Sequence, residues 1–353
     1  MAAWRNQSRG SNRHRSRSWA GSSFPRGLVV SKTVTILGSG VVGLTVAAEL
    51  HKRGCKVTVI DPNGAPGPHG CSWWAGGMLA ADCEGEVAEE IVVRLGREAA
   101  EWWQSMGAAL TFKGSVVVAL GRDRQELDRF ARRTENHEML GKAALGEIEP
   151  YLAERFERAL YMGSESHLNP RPTLLALRER LSNEGVVFVA EGESKGQVID
   201  CRGLAATGDL PELRGVKGEM VILRTSDVTL DRPVRLLHPR FPLYIVPRGD
   251  GVFMLGATQI ESGERSRATV RSVVELLNAA YALHPAFGEA ELLEIGVDAR
   301  PAFPDNLPRI TGKDGKIYVN GLFRHGYLLA PAMARMVGEL VVDGKTPEVW
   351  HEA

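Results

Sequence analysis

The chain has 353 residues, room for two domains at roughly 150 residues each. It is 44% hydrophobic and 24% charged, an ordinary globular composition that argues against a disordered or fibrous chain. Forty-three basic residues balance forty-three acidic ones, so the basic excess of a general nucleic-acid binder is missing.

That balance conceals an asymmetry. Residues 1–32 carry Arg5, Arg9, Arg13, Arg15, Arg17, Arg26 and Lys32 and no acid, which leaves the body from residue 33 mildly acidic. Ser, Arg, Asn and Gly dominate this leader and no apolar period runs through it. It is expected to be a disordered basic leader, unable to bury enough surface to offset chain entropy. Its composition is that of a transit peptide, and a solvated tail or a start codon set too far upstream fits it too. An apolar h-region is missing, so a secretory signal is not expected. The four cysteines, Cys55, Cys71, Cys83 and Cys201, form no C-x-x-C pair. They point to a reducing compartment and to no metal site. The expected location is cytoplasmic, with import into an organelle left open by the leader.

Thr33 to Leu37 is a short β-branched run and predicts a strand. Gly38-Ser-Gly40-Val41-Val42-Gly43 follows at once. Leu44, Ala47, Ala48 and Leu50 then recur at helical spacing up to Arg53, and Gly54 ends the helix. Lys56 to Ile60 predicts a second strand, which delivers Asp61. The apolar stretch Val34 to Leu50 is therefore read as strand and helix, because its clustered glycines break a membrane span. Strand, glycine turn, helix, strand and acid in about 30 residues is the dinucleotide-binding pattern. Gly38 permits the tight turn, Gly40 lets backbone approach a pyrophosphate, and Gly43 lets the helix pack closely. The helix N-terminus offers unpaired N–H groups to phosphates, and Asp61 is placed to accept from ribose hydroxyls. An acid there disfavours a 2′-phosphate; the motif alone leaves NAD and FAD open.

Further along, Ala75-Gly76-Gly77-Met78 has little side-chain bulk before Met78, so a planar ring could lie against its backbone. Ala205-Ala206-Thr207-Gly208 follows a strand expected over Gln197 to Arg202 and would set a second turn near the cofactor. Gly321 to Pro331 is a glycine-punctuated turn opening an apolar helix expected over Leu328 to Val342. Its N-terminus would aim a positive dipole at a ligand.

The segment Gly70-Cys71-Ser72-Trp73-Trp74-Ala75-Gly76-Gly77-Met78 resembles the FAD-dependent D-amino acid oxidase superfamily, in its glycine oxidase form. Further blocks agree and run in family order over about residues 33–345. They are His167 to Pro172, Gly215 to Met220, Leu243 to Arg248 running on to Thr258, Ala299 to Pro308, and Gly321 to Pro331. Three departures stand out: Leu322 occupies a position where the family usually has His, Gln259 follows Gly-Ala-Thr where an apolar residue is common, and the chain between Leu181 and Thr207 is about one β-hairpin short.

The resemblance implies an α/β fold, with a Rossmann-like FAD-binding domain and a second α+β substrate domain built on a mostly antiparallel sheet. The FAD domain is expected over residues 33–88, 155–215 and 296–353, and the substrate domain over 89–154 and 216–295. The cofactor implied is non-covalent FAD, since no cysteine follows Cys201. It would contact Gly38, Gly40, Val41, Val42, Gly43, Asp61, Cys71, Ser72, Gly76, Gly77, Met78, Thr207, Gly208, Leu322, Phe323, His325, Gly326, Tyr327 and Leu328. Arg300 and Arg324 are the implied carboxylate-binding residues, with Tyr244 donating a hydroxyl. A guanidinium suits a carboxylate because its fork meets both oxygens. The activity implied is oxidation of glycine and other small amines to the imine or glyoxylate, with ammonia and hydrogen peroxide formed, serving the thiazole of thiamine. Alternatives are an oxidase or dehydrogenase for sarcosine or small D-amino acids, and a non-catalytic flavoprotein. Expected partners are the small amino acid and oxygen, with no nucleic acid, no membrane span, and a homotetramer by resemblance.

Overall fold

The computed structural model describes residues 33–238 and 242–352. The expected leader, residues 1–32, lies outside them.

Thr33–Leu37 forms the strand read from its β-branched run, with Val34, Thr35 and Ile36 buried. At Gly38 the backbone enters the left-handed region, with φ +95°, where glycine alone is unstrained. The helix Val41–Lys52 follows, and the strand Lys56–Ile60 lies parallel to the first, residue against residue from Thr33–Lys56 to Leu37–Ile60. Gly43 has no room for a side chain: a Cβ there would stand 1.9 Å from the Gly38 carbonyl oxygen. The helix buries Leu44, Val46, Ala47 and Leu50 against the sheet, each large apolar side chain contributing about 1.5–3 kcal/mol.

These two strands sit in a seven-stranded sheet. In spatial order it runs Trp350–Glu352, Arg309–Lys313, Lys316–Asn320, Gln197–Asp200, Thr33–Leu37, Lys56–Ile60 and Val187–Val189. All neighbours are parallel except the hairpin Arg309–Lys313 with Lys316–Asn320. A single strand, Val187–Val189, stands between the helix Pro170–Asn183 and Gln197–Asp200, in keeping with the short segment noted in the sequence. The apolar helix Gly326–Gly338 packs on the helix Val41–Lys52 and fills the core of this half with Leu329, Ala330, Met333 and Val337.

The second, nine-stranded sheet is antiparallel except where Val234–Leu237 runs parallel to Ser115–Ala119. Its long strands Arg214–Arg224 and Glu291–Ala302 pair along their whole length and set Val216 beside Arg300. On Leu243–Gly249, Tyr244 stands between Arg235 and Gly256.

The expected domain boundaries need three corrections. Arg158–Met162 pairs with Ser115–Ala119 and Glu138–Gly141, so it belongs to the large sheet and not with residues 155–215. The helices Glu90–Gly96 and Ala99–Ser105 pack their Val92, Leu95, Ala99 and Trp103 into the core around Val34 and Ile36, on the dinucleotide side. Glu291–Ala302 lies wholly in the large sheet, past the boundary set at 296. Among the described residues no helix is long and apolar enough to cross a membrane.

Candidate functional site

A cavity of about 1460 Å³ runs between the two sheets. Gly38, Gly40, Val41, Val42, Asp61 and Asn63 line one end of it. Cys71, Ser72, Gly76, Gly77 and Met78 line a second wall, and Leu322 to Leu328 a third. Arg300, Tyr244 and Thr258 are contributed by the large sheet and the turn after it. Gly43 sits outside the lining and acts through packing. Thr207 and Gly208 are also outside it. The chain touches the cavity at Cys201, Arg202, Gly203, Leu204 and Ala205, then turns away, so the expected second glycine turn is displaced by two residues.

The helix N-termini at Gly40 and His325 both lack a side-chain cap, and both open onto this cavity. At the first, the Val41 amide donates to the Ser72 hydroxyl at 3.1 Å; the remaining free N–H groups of such a helix start, with its partial positive charge, suit an anionic group. Asp61 is the acid of the dinucleotide motif. Its Oδ2 accepts from the Ser39 amide at 2.8 Å and hydroxyl at 2.7 Å, and its Oδ1 from the Asn63 amide at 2.9 Å. Burial alone would raise its pKa, but these donors from Ser39 and Asn63 hold it below the ordinary Asp value, so the carboxylate stays ionised and able to accept.

The turn at Ala75 to Met78 is held in an unforeseen way. Gly76 is crowded by Tyr244, whose ring carbon would lie 3.0 Å from a Cβ there. Gly77, at φ +70°, is required by the Leu168 carbonyl, 2.2 Å from a Cβ. Arg248 clasps the same turn, donating to the carbonyls of Gly76 at 2.9 Å, Ala75 at 3.2 Å and Leu168 at 3.1 Å. Burial pushes its pKa down to about 10. The sequence block Leu243 to Arg248 contained this residue, but nothing local says that its fork meets three carbonyls.

Among the described residues, Arg300 is the cavity arginine with no acidic partner. Its Nη1 donates to the Thr258 carbonyl at 3.1 Å, and the Tyr244 hydroxyl shares a hydrogen bond with it. Burial lowers its pKa from the ordinary arginine value, with Tyr244 opposing. Every other arginine lining the cavity among the described residues has an acidic partner. Arg129 pairs with Glu126 and Glu86, Arg202 with Asp200, Arg235 and Arg324 with Glu84, Arg265 with Asp298, and Arg271 with Glu275.

Glu84 was not anticipated. It is buried at 7% exposure. Its Oε1 accepts from Arg235 Nη2 at 2.6 Å, and its Oε2 from Arg324 Nη2 at 2.6 Å. His325 Nε2 lies 3.0 Å from the same Oε2. Burial alone would raise the pKa of Glu84, but Arg324, Arg235 and His325 hold it well below the ordinary Glu range. Arg324, expected to bind a carboxylate from outside, is thus already engaged. Arg235 was legible as a signal: it is a cation among the apolar residues of Val234–Leu237. Glu84 carries no such mark.

Trp73 and Trp74 line the cavity, with the Arg171 guanidinium 5.2 and 5.1 Å from their ring centroids. Phe323 lies on the opposite wall. Tyr327 is committed to the core: its hydroxyl donates to the Ser72 carbonyl at 3.0 Å and its ring packs 5.6 Å from Trp103.

The arrangement fits FAD on the chemistry of its donors: two uncapped helix starts, an ionised acid and a backbone turn kept free of side chains all face one elongated cavity. Comparisons with known proteins agree. A Rhizobium etli protein provisionally named thiamine biosynthesis oxidoreductase ThiO is 51% identical over 323 residues, covering 89% of this chain and 98% of its own. The glycine oxidase of Pseudomonas aeruginosa is 27% identical, covering 90% of this chain and 96% of its own. In fold, the crystal structure of glycine oxidase from Geobacillus kaustophilus superposes with a TM-score of 0.75 at 23% identity, covering 90% of this chain and 95% of that one. Residues 33–340 match the family described as FAD dependent oxidoreductase. The chain belongs to this FAD-dependent oxidoreductase family, of the D-amino acid oxidase type.

Proposed function

We propose that the protein is an FAD-dependent amino acid oxidase acting on glycine and other small amines, yielding the imine or glyoxylate, ammonia and hydrogen peroxide. Its products would serve formation of the thiazole of thiamine. The observation that carries the reading is Arg300: a half-buried guanidinium, flanked by the Tyr244 hydroxyl, facing the cavity without a carboxylate of its own among the described residues. An unpaired cation drawn partly out of water is costly, and a substrate carboxylate would satisfy it. The names of the Rhizobium and Pseudomonas relatives support the choice of substrate and pathway.

When bound, FAD supplies the two-electron oxidation at carbon, and the protein supplies binding and orientation. Gly38, Gly40, Val41, Val42 and Asp61 would hold its dinucleotide end. Ser72, Gly76, Gly77 and Met78, with Leu322, Phe323, Gly326 and Leu328, would line its ring. Arg300 and Tyr244 fix the substrate carboxylate and so orient the α-carbon. Such a site needs no nucleophile. His325 is not assigned as a base: its ring is buried against Glu84 and Arg324, a positioning contact. Oxidation of glycine by the FAD-loaded protein, read as peroxide release, tests the proposal. Activity on D-phenylalanine equal to or above that on glycine would replace it with a broader D-amino acid oxidase.

A further inference from the structure

Three guanidinium groups, those of Arg235, Arg300 and Arg324, face the cavity around Tyr244 and Phe323. Arg324 is near enough to Arg300 for the two charges to repel. A cavity with three open guanidinium groups would favour substrates with several carboxylates. Two of the three are closed off. Glu84 gives one oxygen to each, at 2.6 Å in both cases. Behind this bridge stands a second buried acid, Glu165, which faces the same Arg235. Burial raises its pKa above the ordinary Glu value; one of its oxygens accepts from the Cys83 amide at 2.8 Å and the other from the Ser115 hydroxyl. Both oxygens of Glu84 are therefore taken up by Arg235 and Arg324, which closes the bridge. Arg300 stands outside it.

We propose that Glu84 sets the charge rule of the site. By holding Arg235 and Arg324 in ion pairs, it leaves Arg300, among the described residues, as the one cavity guanidinium open to a carboxylate, so the site takes amines with one carboxylate and discriminates against those with two. This rests on the reading that Arg300 clamps the substrate carboxylate. The bridge explains why Arg324 can border the substrate space without serving as a second clamp. It also assigns a specificity role to a residue that lies between the ring-facing turn and the helix start at His325. Glu84→Gln keeps the shape and removes the charge. An amide oxygen can accept from one arginine, so the other guanidinium is released toward the cavity.

The test is an absorbance titration of the FAD-loaded protein with acetate and with malonate, neither of which can be oxidised as an amine. In the wild type, malonate is expected to bind no more tightly than acetate. In Glu84→Gln at matched flavin content, the malonate-to-acetate preference is expected to rise by about tenfold or more, a change of ~1.4 kcal/mol. In parallel, iminodiacetate should gain on glycine in kcat/KM. Malonate binding about tenfold tighter than acetate in the wild type would overturn the proposal, as would an unchanged ratio in the variant. If Glu84→Gln does not fold, the wild-type pair of titrations decides by itself. Silence of both anions, together with no response to glycine, would remove the Arg300 clamp and this proposal with it. A response to acetate with an unchanged ratio in the variant removes only the role of Glu84.

Discussion

Gly218 lies directly beneath the guanidinium of Arg300: a Cβ at 218 would stand 2.3 Å from Nη2 and 2.5 Å from Cζ. The glycine of the Gly215 to Met220 block is thus explained by a side chain more than eighty positions away. Its φ is not in the left-handed region, so alanine would not strain the backbone. Gly218→Ala is therefore expected to fold and retain FAD while displacing the guanidinium. The KM for glycine should rise by about tenfold or more, in line with losing a charge-assisted contact. An unchanged KM would mean that Arg300 does not hold the substrate.

Direct removal should cost more. In Arg300→Ala a substrate carboxylate would enter a buried space with no ionic partner. Losing one member of such a desolvated pair costs about 2–5 kcal/mol, so kcat/KM for glycine should fall by roughly 30-fold to several thousand-fold. Flavin content should remain near wild type. Activity within about twofold of wild type would exclude Arg300 from the site.

His167 provides a pH test of stability that is separate from catalysis. It is buried at 5% exposure, and its Nδ1 has no hydrogen-bond partner. Burial, then the charges of Arg248 and Lys113, lower its pKa from 6.5 to about 4. Between those values the unfolded chain takes up a proton that the folded one refuses, so stability falls as pH falls through this window. The contribution is roughly 3 kcal/mol, at about 1.4 kcal/mol per pKa unit. His167→Gln should lose that part of the slope in denaturation followed from pH 6.5 to 4. An identical slope in both proteins would contradict the assignment.

Substrate size should be limited by Trp73 and Trp74 on one wall and Phe323 on the other. Overpacking costs about 1–3 kcal/mol, so glycine and sarcosine should be preferred over D-phenylalanine by roughly 10- to 100-fold in kcat/KM. Tyr327 also borders the cavity but is fixed in place, its hydroxyl on the Ser72 carbonyl and its ring against Trp103.

The dinucleotide half was legible where the constraint is local. Gly38, Gly40 and Gly43 act within six residues of one another, and the strands Thr33–Leu37 and Lys56–Ile60 fall where the β-branched runs placed them. What depended on distant partners was not legible. The short apolar run in Arg158–Met162 fits a strand but does not say which sheet receives it. The helix Ala99–Ser105 shows apolar spacing, but its partner is found 224 positions on, where Trp103 Nε1 donates to the Tyr327 carbonyl at 2.9 Å. Gly96 carried a usable hint, since a Cβ there would stand 2.8 Å from Leu328; a glycine inside a helix signals close approach. Glu84 carried none. An acid six residues past Met78 becomes a bridge only when Val234–Leu237 and the turn before Gly326–Gly338 bring their arginines to it. Thr207 and Gly208 were misplaced because the turn after Gln197–Asp200 meets the cavity earlier, at Arg202 and Gly203.

The most direct test of the central claim is anaerobic titration of the FAD-bearing protein with glycine, followed by absorbance. Glycine and sarcosine should bleach the oxidised flavin spectrum completely, and admission of oxygen should restore it with release of peroxide. A spectrum that stays unchanged with glycine, sarcosine and D-alanine alike would contradict the assignment of this site to the oxidation of small amines.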